Sequence, residues 1–256
     1  MKKIKKIALC LSILAMTSCA SKKDVLYYSD IDAAELKENI FNTEFQVDDL
    51  LMIVVTAQDP LAAQPFNVTT TFTVNPLNQA GGGQYQQHLY LVDSNGNIEF
   101  PILGTLKVAG KTKHEFTEEL KTKISQYIVN PIINLRLMNF QVSVQGEVAR
   151  PNVYTFNSER ITLPEVLAQA GDLTIHGNRK NVLIIRDQNG KQITKRIDLT
   201  SSDFINSDFY YLKQNDIVYV EPNQVRVNSS AVGPNVSVII SVASLLITIA
   251  TLTIRK

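Results

Sequence analysis

The chain has 256 residues, with 25 Lys+Arg against 24 Asp+Glu, a net charge of +1 and only 19% charged residues. This balance provides no basic footprint for nucleic acid or an anionic surface. Hydrophobic residues make up 45%, partly concentrated at the two ends, and the middle keeps enough Val, Ile, Leu, Phe and Tyr for a packed core.

The chain opens with "MKKIKKIALCLSILAMTSCASKKD". Lys2, Lys3, Lys5 and Lys6 form a basic region, and residues 7–16 form an apolar run too short to span a bilayer. Thr17 and Ser18 then lead into Cys19, at the point where cleavage would occur. Residues 1–18 read as a lipoprotein signal peptide, Cys19 as the lipid attachment site and 19–40 as a lipidated linker. The alternative is an ordinary secretory signal with a cysteine nearby. Only two cysteines occur. Cys10 would leave with the signal and Cys19 would carry lipid, so no disulfide, thiolate metal site or cysteine nucleophile would remain.

"LLMIVVTAQDP" (50–60) is β-branched and closed by Asp59-Pro60, so it reads as a buried strand. "FNVTTTFTV" (66–74) alternates as another strand. "NPLNQAGGGQYQQ" (75–87) reads as a loop or hairpin tip, and no Lys-Ser/Thr follows its glycines to make a phosphate cradle. Strand alternation flanks Asn95-Gly96, the dipeptide of a type I′ hairpin turn. Asp93, Asn95, Asn97 and Glu99 imitate a calcium loop, but its twelfth position is Gly104 rather than a carboxylate. Thr112 with Glu115 makes a capping box, and Phe116, Leu120, Ile124 and Ile128 mark one helix face ended by Asn130-Pro131. Strands follow at 132–138 and 141–148, then "VYTF" after Arg150-Pro151-Asn152. Thr162 with Glu165 caps a short helix ending at Gly171. A hairpin turns at Asn189-Gly190, and "DIVYVEP" (216–222) is the last strand. The order predicts an α+β protein of two small domains, at 41–140 and 141–224.

Little in this middle carries chemistry. His88, His114 and His176 lack metal spacing or a Ser or Cys partner, and each reads as a solvated surface residue. Asp48-Asp49 is the one paired carboxylate of interest. Asp48, Asp49, Asp59, Glu99, Glu147 and Asp216 all read as turn or surface residues. The sequence therefore assigns no catalytic residue, no metal site and no cofactor.

The chain closes with "VSVIISVASLLITIATLTIRK", in a stretch with no charge between Arg226 and Arg255. Pro234 suits a first helical turn, and 235–254 gives a helix of ~30 Å, the thickness of a hydrocarbon core. Residues 225–256 thus read as a C-terminal amphipathic transmembrane helix. At ~100° per residue, Ser237, Ser241, Ser244, Thr248 and Thr251 fall within one wedge roughly 80° wide. Such a stripe can line an aqueous passage. Equally, Ser and Thr in a spanning helix back-bond to the preceding turn or pack between helices.

Taken together, "FQVDDLLMIVV", "VDSNGNIEFPILGTLKVAGKT" and "IVNPIINLRL" resemble the periplasmic export domain of Wza-type outer-membrane polysaccharide export lipoproteins. "VQGEVARPNVYTF", "LPEVLAQAGDL", "VLIIRDQNGK" and "YYLKQNDIVYVEPN" resemble their SLBB β-grasp domain. The resemblance covers roughly residues 41 to 254. It implies a homo-oligomeric ring, an octamer by resemblance, lipidated at Cys19 and held in the outer membrane by a barrel of C-terminal helices. The body would lie in the periplasm and the C-terminus outside the cell. Capsular or exopolysaccharide would be handed over by an inner-membrane co-polymerase or tyrosine kinase. Gly104, Gly110, Gly146 and Pro151 become turn residues, and Ser237, Ser241, Ser244, Thr248 and Thr251 become pore-lining residues. Asp48-Asp49 replaces the family's Gly-Asp before the first strand. A single β-grasp repeat implies a shorter body, and the glycines at 81–83 have no counterpart.

The sequence thus favours a passive polysaccharide export channel subunit, not an enzyme. The alternative is a membrane-anchored glycan-binding or assembly-scaffold lipoprotein, and a glycan-modifying enzyme comes third.

Overall fold

The computed structural model describes residues 24–33, 35, 41, 43–71, 85–188, 190–231 and 236–254, with backbone alone at 33, 69–71, 85–87, 231, 236–237, 239, 243 and 250–254. The signal segment, Cys19 and all of residues 72–84 lie outside them.

Strand β1 (Leu50–Thr56) alternates strictly, burying Leu51, Ile53 and Val55. Asp59 caps the one-turn helix α1 (Pro60–Ala63), its carboxylate accepting from the Leu61 amide at 3.0 Å. The strand expected at 66–74 starts later, since Phe66 ends a 3-10 helix (Gln64–Phe66); its described strand part is β2 (Thr69–Thr71), which pairs with β3 (Tyr85–Gln87) inside the expected loop. The Asn95-Gly96 expectation needs a further correction. Strand β4 (Leu89–Leu91) does not pair across that turn but joins β1, with Leu50 opposite Leu91. Strand β5 (Asn97–Phe100) instead forms its hairpin with β6 (Gly104–Lys107). Only Gly96 of the dipeptide has positive φ, so the turn is not type I′. The Asp93 carboxylate fixes it instead, accepting from the Asn95 and Asn97 amides at 2.8 Å.

Helix α2 (Lys113–Ile124) carries both halves of its capping box and buries Phe116, Leu120 and Ile124 completely, worth about 2 kcal/mol apiece. It packs beside β7 (Ile132–Leu137), which completes the antiparallel order β4–β1–β7.

The second domain is built on β8 (Gln141–Gly146), β9 (Asn152–Thr155), β11 (Gly177–Gln188), β12 (Lys191–Ile197) and β14 (Ile217–Pro222). Their sheet order is β12–β11–β14–β8–β9, with β14 and β8 parallel. Short β10 (Ile161–Thr162) pairs with β13 (Tyr211–Leu212). Helix α3 (Leu163–Gln169) follows its own capping box and buries Leu163, Val166 and Leu167. The hairpin over Asn189-Gly190 forms as expected, closing at Gln188 opposite Lys191. At Gly146 (φ +89°) an added Cβ would lie 2.0 Å from the Val220 carbonyl oxygen, so only glycine permits this close approach of β8 and β14. Helices α4 (Gln224–Ala231) and α5 (Val236–Ile254) end the chain.

Two carboxylates read as turn or surface residues are buried. Asp216 is 0% exposed and takes Arg186 Nη2 at 2.6 Å and Nε at 2.9 Å, while the Lys213 amide donates to it at 2.8 Å. Arg186 also donates to the carbonyls of Asp208 and Tyr211, so this pair pins the loop leading into β14. Asp49 is 1% exposed at the entrance to β1. Beside it, the Asn139 side chain accepts from the Leu50 amide (2.8 Å) and donates to the Asp48 carbonyl (2.9 Å). Gln214 in turn bridges Asn139 and Gln141, tying the two domains at their seam.

Candidate functional site

Two parts of the chain bear on its attachment and assembly: the terminal helix and the segment after Cys19. Helix α5 runs unbroken through all five stripe positions and contains no acidic or basic residue. At 1.5 Å per residue its 19 residues extend ~28 Å. Its side chains are described only at 238, 240–242 and 244–249, and among the described residues no helix is long and apolar enough to cross a membrane. Val238, Ile240, Val242, Leu245, Leu246, Ile247 and Ile249 are each more than half exposed. Among the described residues nothing covers this surface.

Within the stripe, Ser241, Ser244 and Thr248 are exposed. The Ser244 hydroxyl donates to the Ser241 carbonyl and the Thr248 hydroxyl to the Ser244 carbonyl, both at 2.8 Å. The Ser244 and Thr248 donors are thus satisfied within the helix. The side chains of Ser237 and Thr251 lie outside the described set.

The segment after Cys19 crosses to the second domain, which the sequence reading missed. Asp24 pairs with Lys180 at 2.5 Å. Amides of Tyr28 and Ser29 donate to the carbonyls of Leu199 and Thr200 at 3.2 and 2.8 Å. Asp30 accepts from the Ser201 hydroxyl (2.8 Å) and the Ser202 amide (2.5 Å), and these bonds hold its carboxyl below the usual range. Tyr28 stacks on Phe204 with 5.6 Å between ring centres. Tyr27 donates to Asp172, and its burial, reinforced by that carboxylate, pushes its hydroxyl pKa up. The apolar run Val25-Leu26-Tyr27-Tyr28 after Lys22-Lys23-Asp24 was the available signal.

No catalytic constellation gathers around the residues weighed for one. His88 and His114 are exposed, and His176 is partly covered on a loop. Among the described residues no group of three His, Cys, Asp or Glu could hold a metal.

Residues 41–138 match the family described as polysaccharide biosynthesis/export protein, and residues 141–220 match the SLBB domain. The chain is 30% identical over 182 residues to EPS I polysaccharide export outer membrane protein EpsA of Ralstonia nicotianae, covering 69% of this chain and 46% of that protein. The protein of the same name from Ralstonia solanacearum is 26% identical over 201 residues, with coverages of 76% and 52%. The chain therefore spans about half the length of these relatives. With the export family over its first domain and SLBB over its second, this chain has the domain pairing of Wza-type polysaccharide export proteins.

Proposed function

We propose that the protein is one subunit of a homo-oligomeric conduit, an octamer by resemblance, that carries polysaccharide through the outer membrane. Residues 41–140 and 141–224 form its periplasmic body. Lipid at Cys19 and the helix within 225–256 attach it to the membrane, and an inner-membrane co-polymerase or tyrosine kinase supplies the glycan. The role follows from that domain pairing and from relatives named as outer-membrane export proteins.

The observation that carries the arrangement is that both tethers leave from the second domain. From Cys19 to Asp24 is five residues, so a lipid there lies within ~18 Å of the Asp24–Lys180 pair. At the other end, β14 runs directly into α4, which is held by Arg226 against Glu147 at 3.4 Å, and α5 follows. The SLBB domain therefore faces the membrane, and the export domain hangs away from it into the periplasm. Helix α5 spans the bilayer and presents its stripe to the passage, its neutral hydroxyls neither trapping nor repelling a charged glycan.

An epitope appended after Lys256 should bind antibody on intact cells. Binding only after permeabilisation would defeat the spanning arrangement. The specific observation favouring an anchor-only scaffold is the back-bonding of Ser244 and Thr248, which lets the stripe sit in lipid or between helices at little cost.

A further inference from the structure

Exposed cations gather where the two domains meet. Two hollows, of 430 and 520 Å³, share Phe41, Lys113 and Glu159 and so form one continuous groove. Arg136 on β7 and Arg160, just before β10, line the larger hollow, and both are exposed. Glu159 is the one carboxylate lining either part, and it is already engaged. Its Oε1 accepts from Lys113 Nζ at 3.0 Å and from the Leu137 amide at 3.2 Å.

The two arginines are left with their charge largely unanswered. Among the described residues no carboxylate lies within ion-pairing distance of either guanidinium. Arg160 sits over the Tyr211 ring at 4.9 Å and donates to its hydroxyl at 2.5 Å, which fixes the guanidinium without neutralising it. Glu165 acts on Arg160 through space, but its carboxylate serves the Thr162 cap. Phe41 stands edge-on to Tyr211 at 5.4 Å and contributes an aromatic surface to both hollows. Thr43, in the smaller hollow, has a buried hydroxyl with no hydrogen-bond partner among the described residues. A planar cation suited to carboxylates beside an apolar ring in one groove describes an acidic, ring-shaped ligand.

We infer that this junction groove is a subsite for an acidic sugar residue, a uronate whose carboxylate is held by Arg136 and Arg160 while its ring lies against Phe41. The inference rests on the export reading for the identity of the ligand as glycan. Exposure and salt keep such a contact weak, as suits a chain that must enter and leave.

The test is calorimetric titration of the full chain in detergent, at low salt, with trigalacturonate, maltotriose and inorganic phosphate. Trigalacturonate should bind, weaken as salt rises, and bind at least about tenfold better than maltotriose. Arg136→Gln, at an exposed position, should lose about tenfold in affinity, Arg136→Lys should retain most of it, and Arg136→Gln/Arg160→Gln should abolish binding. Equal binding of maltotriose, an Arg136→Gln variant as good as wild type, or displacement by phosphate at equal concentration would overturn the assignment. Electron microscopy of Arg136→Gln separates this from the conduit reading. Rings that persist while binding is lost support the groove, whereas absent wild-type rings bear on the conduit alone.

Discussion

Asp49→Asn isolates one buried carboxylate at the start of β1. Its Oδ2 accepts from the Gln46 amide at 2.8 Å, while Oδ1 is buried without a hydrogen-bond partner among the described residues. Burial lifts the carboxyl from 3.8 to about 6, opposed by the Gln46 bond and reinforced by Glu159 and Asp48. A raised carboxyl makes the folded chain hold its proton where the unfolded chain has released it. The stability it contributes is full below pH 3.8, falls as pH rises to about 6, and is flat above. Between pH 4.5 and 7.5 the wild type should lose on the order of 2 kcal/mol that the variant does not, roughly 10 °C in midpoint for a domain of this size. The buried amide of the variant shifts its midpoint equally at every pH, so the slope is the informative quantity. Thermal unfolding of the detergent-solubilised chain, followed by circular dichroism across that range, measures it. Parallel pH profiles for wild type and variant would refute the reasoning.

Asp216→Ala strands Arg186 in the core and should cost about 3–5 kcal/mol, visible as a large drop in unfolding midpoint; a shift under 1 kcal/mol would show that the pair is not buried as described. Cys19→Ala should abolish fatty-acid labelling and leave an unprocessed precursor, whereas retained label would exclude that attachment site. Single cysteines at Ser237, Ser241, Ser244, Thr248 and Thr251 should react with a membrane-impermeant thiol reagent, and those at Ile239, Leu246 and Ile249 should not. Equal inertness at all eight positions would make α5 an anchor.

The parts of the fold legible in the sequence were those written locally. Thr112 with Glu115 and Thr162 with Glu165 each specify a helix start within four residues, and both capping boxes form. The Asn189-Gly190 hairpin was legible because its long flanking strands have no competing partner at the turn. Asn95-Gly96 was misread because β4 is claimed by β1, more than thirty residues earlier, a pairing that local turn chemistry does not encode. Asp48 has φ +68°, a left-handed conformation that glycine adopts without strain. The replacement was visible in the sequence, but the backbone it occupies was not. Burial of Asp49 and Asp216 depends on partners brought by the fold, as do the docking of Tyr27 and Tyr28 and the groove joining Phe41, Lys113, Arg136 and Arg160. The stripe on α5 was legible because helical spacing alone defines it, and the helix forms across it.

Single-particle electron microscopy of the full chain extracted in detergent tests the conduit most directly. The account predicts closed rings of identical subunits with an axial passage, the SLBB domains on the membrane side and the export domains away from it. Monomers, or open assemblies with no axial passage, would contradict it.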